Sequence, residues 1–245
     1  MKSSLKGVVT IRAVMCISMA ILFGLQLTPW SNPATVHAEE LNGIWMDWVQ
    51  YESGGDYAQT GGDGGVSYGR YQYHVNGSLP NFMYFCMERQ PESYEAFAGY
   101  VKDSEGRHTL TTDKGLGDVW VAACSSEEGN FAALQDQFLL EAYYIPVEQQ
   151  LLELYNIDLE AYGPVLRGTV LSVALRDGQH VSKTKKYNNL RSVTGTYYEG
   201  IPEQDWLNAI YDAEAARHPK QSKRWQRKQK ELAQEALLNL IVVEE

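Results

Sequence analysis

Seven of the chain's 21 glycines fall between Gly54 and Gly69. Glycine gives up more conformational freedom than any other residue when held in a helix or strand, so this stretch is turn and loop, and it divides whatever regular structure lies on either side. Before it, Leu41, Ile44, Trp45, Trp48 and Val49 recur at helical spacing, and Gly54-Gly55 supply a stop. That pattern predicts an amphipathic helix over residues 40–53. Within and after it, Val66, Tyr68, Arg70, Gln72 and His74 alternate with Ser67, Gly69, Tyr71, Tyr73 and Val75, which predicts a hairpin or short sheet. Helical periodicity then returns near 79–89, 91–101, 128–155 with a bend at Pro146, 161–178, 203–217 and 220–242. Residues 102–118, with three glycines and several Thr and Asp, read as a long loop or small lobe.

The first 38 residues have a different character. Lys2, Lys6 and Arg12 precede an apolar run from Ala13 to Leu27, and Val36-His37-Ala38 ends the segment in a small-residue pattern. This reads as an export signal cleaved after Ala38, with a retained membrane anchor as the alternative. The expected product is one domain over 39–245, secreted or associated with a cell wall, with no membrane contact after cleavage. Export also makes a Cys86–Cys124 disulfide plausible, against two buried thiols. The two cysteines and the scattered histidines lack ligand spacing, so no metal and no cofactor is expected.

Charge narrows the partners. The chain carries 21 basic and 31 acidic side chains, net −10, and three of the bases lie in the leader. Sequence-independent grip on nucleic acid needs clustered cations that release counterions from phosphates, so nucleic acid is excluded as the expected partner.

The chemistry is concentrated in residues 52–73. Leu41, Trp45, Trp48 and Glu52 advance by four, three and four, which places Glu52 on the apolar face at the end of the predicted helix. Desolvation and the negative end of the helix dipole would both raise its pKa, as a general acid requires. Asp63 sits among Gly61, Gly62, Gly64 and Gly65, open to water and to backbone N–H groups. One protonated and one ionised carboxyl across a groove is an arrangement that cleaves glycosidic bonds. Ser67 is a candidate to orient water, Tyr68, Tyr71 and Tyr73 to stack on sugar rings, and Gln135 to tie the central helix to the catalytic loop. Each also has a purely structural reading, local hydrogen bonding for Ser67 and core packing for the tyrosines.

The run Glu52-Ser53-Gly54-Gly55, followed by Gly62-Asp63-Gly64-Gly65-Val66-Ser67-Tyr68-Gly69-Arg70-Tyr71-Gln72, resembles the lysozyme-like glycoside hydrolases of phage and secreted bacterial wall-cutting proteins. More distantly it is similar to the chitosanases of glycoside hydrolase family 46. Phe131 to Gln135 with Tyr143 and Pro146, Leu171 to Ala174 with Gly178-Gln179-His180, and Trp206 to Asp212 extend the resemblance along the chain. It implies a mainly α, lysozyme-like (α+β) fold, with a helical lobe, a small β-hairpin lobe and a groove between them. It also implies a monomeric secreted hydrolase of a β-1,4-linked aminosugar polymer, working with inversion, with Glu52 as acid and Asp63 as base. Peptidoglycan would be the substrate, with chitosanase, lytic transglycosylase and non-catalytic wall-binding protein as alternatives. Asp63 directly precedes Gly64, one position nearer than in those relatives, so Asp56 stays open as the base. Gln137 and Ile145 stand where chitosanases carry acids, which favours an acetylated polymer.

Overall fold

The computed structural model describes residues 40–126, 130–219 and 223–243. The expected leader, residues 1–38, lies outside them. The described chain is mainly helical, with three small antiparallel strand pairs.

The first departure from expectation is at the start. Residues 40–53 are not a helix: β1 (Glu40–Leu41) pairs with β2 (Ile44–Trp45), and a 3-10 turn follows over Asp47–Tyr51. Asn42 and Gly43 take φ of 53° and 69°. Asn-Gly is the pair that most favours left-handed backbone in a two-residue hairpin turn, and it outweighs the helical spacing of the apolar residues around it. β3 (Ser67–Tyr68) and β4 (Tyr73–His74) form the expected second hairpin, with Ser67 opposite His74 and Tyr68 opposite Tyr73. The segment read as a long loop or small lobe contains a third, β5 (Val101–Ser104) with β6 (Arg107–Leu110), closed by Glu105-Gly106 at φ 55° and 81°.

Among the described residues seven longer helices make the body: α1 (Ser78–Arg89), α2 (Leu116–Ser125), α3 (Phe131–Leu139), α4 (Ile145–Tyr155), α5 (Pro164–Asp177), α6 (Glu203–Arg217) and α7 (Lys223–Val243). α3 and α4 are joined through a π-turn at Leu140–Tyr144. Pro146 has no N–H to donate and its ring crowds the carbonyl one turn back, and widening the preceding turn accommodates both faults. α5 begins with proline at its first position and is buried on all sides from Val165 to Ala174 except at Arg167. A helix enclosed this way has little amphipathic contrast, because every face meets protein. It runs so close to β2 that a Cβ on Gly168 would lie 2.1 Å from the Trp45 carbonyl oxygen.

One core runs through the described chain. Tyr73, Phe82, Phe131 and Phe138 interlock with Trp120, with ring centroids 4.7 to 5.6 Å apart. Such stacked, tilted and edge-on pairs gain about 1 kcal/mol each beyond area burial. α7 packs against α6, α5 and the 3-10 turn, so the C-terminal helix braces the segment that leads to Glu52.

Candidate active site

Glu52 follows the 3-10 turn, its N–H donating to the Val49 carbonyl at 2.9 Å. It is therefore not at the end of an α-helix, and the dipole argument for its acidity does not hold; desolvation does. Burial pushes its pKa up from 4.5 to about 7, with Arg176 pulling it down and the Asp63 charge pushing it up. One edge of the residue still faces solvent, in a cleft of about 290 Å³. Asp63, Ser67, Tyr71, Gln72 and His74 line the same cleft, with Ser78, Leu175 and Arg176.

The cleft is built by tying distant loops to rigid elements. Ser53, next to Glu52, donates through Oγ to the Arg70 carbonyl at 2.6 Å, fastening the acid's segment to the β3–β4 hairpin. Gln135, fully buried on α3, accepts from the Arg70 N–H at 3.1 Å and donates to the Tyr57 carbonyl at 3.1 Å. Asp136 accepts from the hydroxyls of Tyr57 at 2.8 Å and Tyr71 at 2.6 Å, while Arg70 donates to the Tyr57 hydroxyl at 2.8 Å. Networks of this kind are stiff because each buried polar atom that lost its partner would carry a desolvation cost of about 1–3 kcal/mol.

Asp63 stands exposed in the glycine turn, with φ 50° and ψ 40°, a left-handed backbone that Asp tolerates better than most residues. Its carboxylate accepts from Ser67 Oγ at 3.4 Å. A Cβ on Gly62 beside it would displace the end of the Gln72 side chain, which lines the cleft. Asp56, the other candidate base, is exposed, turns its carboxylate onto the Ala58 N–H at 2.9 Å, and is not among the residues lining the cleft.

The three tyrosines proposed to stack on sugars separate. Tyr68 and Tyr73, at 6% and 0% exposure, belong to the core, Tyr73 donating to the Gln135 carbonyl. Neither offers a ring face to a ligand, because the hairpin turns these positions inward. Tyr71 reaches the cleft but is held by Asp136, so it acts as a wall.

Gln72, His74 and Arg176 were not singled out as site residues from the sequence. Gln72 and His74 carried a usable signal, since they alternate with the buried Tyr71 and Tyr73. Arg176 had none: it arrives from α5, and only the fold brings it to Glu52. Its guanidinium donates to Glu214, 1% exposed, at 2.7 Å, and Glu214 and Asp177 are shared with Arg217 at 2.9 and 2.8 Å. Ligand atoms of Asp177, Glu214 and His218 lie within 4.8 Å of one another, but those carboxylates are already engaged by two guanidiniums, so their charge is balanced without an ion.

Cys86 and Cys124 stand as thiols, not as a bridge. Cys86 is buried in α1, and Cys124 on α2 donates to the Tyr57 carbonyl at 3.3 Å.

Residues 49–239, more than three quarters of the chain and including all of the cleft, match the family described as type VI secretion system spike protein VgrG3-like, C-terminal. The chain belongs to this family. No curated protein matches it. The membership corrects the resemblance drawn from the glycine motif, which assigned the chain to the lysozyme-like hydrolases and, further off, the family 46 chitosanases. The reading built on that assignment, a free-standing secreted hydrolase of β-1,4 aminosugar polymer working by inversion, is overturned with it, as are its alternatives. The motif was short, glycine-rich and supported by helical matches of Ala, Leu and Tyr that any helical core supplies. Among the described residues, no helix is long and apolar enough to cross a membrane.

Proposed function

We propose that this chain is a glycosidase domain of the VgrG3-like C-terminal family, with Glu52 as the proton donor to the glycosidic oxygen of a polysaccharide. The observation that carries the reading is the pairing, in one open cleft, of a desolvated carboxyl with a pKa near 7 and an exposed carboxylate, Asp63. An acid whose pKa lies near the working pH is both protonated and able to give up the proton, the condition for general acid catalysis. Asp63, backed by Ser67, supplies negative charge where an oxocarbenium-like transition state develops positive charge. Arg176 stabilises Glu52 once the proton has left. The helical body beside a small hairpin fits a lysozyme-like arrangement, and the family description, which refers to a secretion spike, fits an exported effector acting on a polymer outside the producing cell.

The test is to incubate the protein with purified peptidoglycan and with chitosan in parallel and to identify the product ends by mass spectrometry. Wild-type protein should shorten at least one polymer, and Glu52→Gln should lose about 10²-fold or more of that rate. Asp63→Asn should also slow that cleavage, since Asp63 supplies the opposing charge. A Glu52→Gln variant retaining half the rate, or no cleavage of either polymer, overturns the proposal.

A further inference from the structure

From Gly178 to Tyr198 the chain carries Lys183, Lys185, Lys186 and Arg191 and no Asp or Glu, inside a protein of net charge −10. Residues 183–187 are all exposed, as is Arg191. None of these four cations pairs with a carboxylate among the described residues; Lys186 instead lies over the Tyr187 ring, 4.9 Å from its centroid. Tyr187 and Tyr198 are each 56% exposed, the most exposed aromatic rings on this stretch.

The segment is not a loose tail. Asn189 N–H donates to the His180 carbonyl at 2.9 Å and closes its neck. Tyr155 Oη donates to the Ser182 carbonyl at 2.6 Å, Gln150 accepts from Val181 N–H at 3.0 Å, and Asn188 donates to Tyr155 and Thr194. The cationic tip is thus presented on an anchored base, with its ordering cost met in folding and not in binding. Its position also matters. The loop leaves α5 just after Leu175 and Arg176, which line the cleft, and Lys183 is seven residues beyond Arg176, at most about 25 Å of extended chain.

We propose that the Lys183–Tyr187 loop, with Arg191, is a docking surface for the anionic groups of the polysaccharide that enters the Glu52 cleft, so that the polymer is an acidic glycan. This rests on the glycosidase reading above. The lysines engage carboxylates borne at intervals along the polymer, and Tyr187 and Tyr198 offer flat faces to sugar rings. Duplex nucleic acid suits the surface poorly: it carries a charge about every 1.7 Å, and four cations within an acidic protein leave most of those phosphates facing negative charge.

A single exposed charge pair changes affinity by less than tenfold, so the test removes three. Glu52→Gln protein, which leaves the polymer intact, is compared with the same protein also carrying Lys183→Gln, Lys185→Gln and Lys186→Gln. Binding is measured by cosedimentation with peptidoglycan sacculi that keep their carboxylates and with the same sacculi after carbodiimide amidation. The expected result is tighter binding to the charged sacculi, weakening with salt, and an approximately tenfold loss in the lysine variant that disappears on amidated sacculi. Equal melting temperatures establish that the variant is folded. Equal binding of the two proteins to charged sacculi, no preference for charged over amidated sacculi, or no binding to either overturns the inference. Tighter binding to duplex DNA reassigns the surface to nucleic acid. The two proposals fail separately: cleavage by wild-type protein with unaltered binding in the lysine variant removes only this one, and charge-selective binding without cleavage removes only the glycosidase.

Discussion

Glu52 is set near neutrality by one large effect and two opposed smaller ones: desolvation raises its pKa, the Arg176 cation lowers it and the Asp63 charge raises it. Replacing Arg176 with Gln removes the lowering influence of its charge. The basic limb of the pH–rate profile, which follows loss of the Glu52 proton, should move to higher pH, and ¹³C NMR titration of labelled Glu52 should show the same shift without substrate. An unchanged limb would mean that the guanidinium does not sense the acid. The same raised pKa makes a stability prediction. A carboxyl whose folded-state pKa exceeds its unfolded value of 4.5 contributes fully below about pH 4.5, and the contribution is lost as pH rises through about 7. Glu52→Gln stays neutral throughout. It should melt with wild type at pH 4 and above it at pH 8, so that the variant without activity is the more stable one; thermal melts at the two pH values decide it.

Elements show where sequence was legible and where it was not. The helices over 203–217 and 78–89 follow their periodicity closely, and the hairpin at Ser67–His74 follows its alternation. The predicted N-terminal helix does not form because Leu41, Ile44, Trp45 and Trp48 satisfy helical spacing while Asn42-Gly43 dictates a turn, a local two-residue signal that outweighs the spacing. α2 was not legible because its first turn, with Leu116, falls in residues 102–118, whose glycines and threonines read as a loop or small lobe, and residues 119–127 carry no assigned pattern. In the site, Glu52 and Asp63, paired from the sequence, line one cleft, yet burial and not a helix end raises the Glu52 pKa, and Arg176 depends on a long-range approach that no local pattern encodes. That approach relies on α5 lying against β2, which gives a test of the packing. Gly168→Ala would push a Cβ to 2.1 Å from the Trp45 carbonyl oxygen, and a backbone atom cannot swing aside. Although alanine is the better helix former, the variant should lose about 1–3 kcal/mol by overpacking. Urea denaturation showing equal or greater stability would mean that β2 is free to shift.

At the scale of the whole molecule, the question is whether covalent closure contributes anything beyond the core. A Cys86–Cys124 bridge would join α1 to α2 across a loop of some forty residues, for which chain entropy alone gives about 4 kcal/mol. In a domain of roughly 200 residues, 1 kcal/mol shifts the melting temperature by about 2–4 °C, so reducing such a bridge would lower it by roughly 8–16 °C. The structure assigns the two residues other work. Cys86 is fully buried in the core, where desolvation pushes its thiol well above the ordinary range, and Cys124 is raised to about 12 while donating to the Tyr57 carbonyl that also receives Gln135 and Trp120. Both are poor thiolates, hence poor participants in disulfide exchange. The interlocked aromatic core and the buried α5 must then hold the domain without a staple, as a chain of this length can. Melting curves with and without reductant should coincide, and non-reducing peptide mass spectrometry should find Cys86 and Cys124 both as free thiols. In native protein Cys86 and Cys124 should resist iodoacetamide at neutral pH, reacting only after unfolding. A drop of the expected size in reductant, or a mass lower by two hydrogens, would establish the bridge and require α1 and α2 to meet differently from the way they do here.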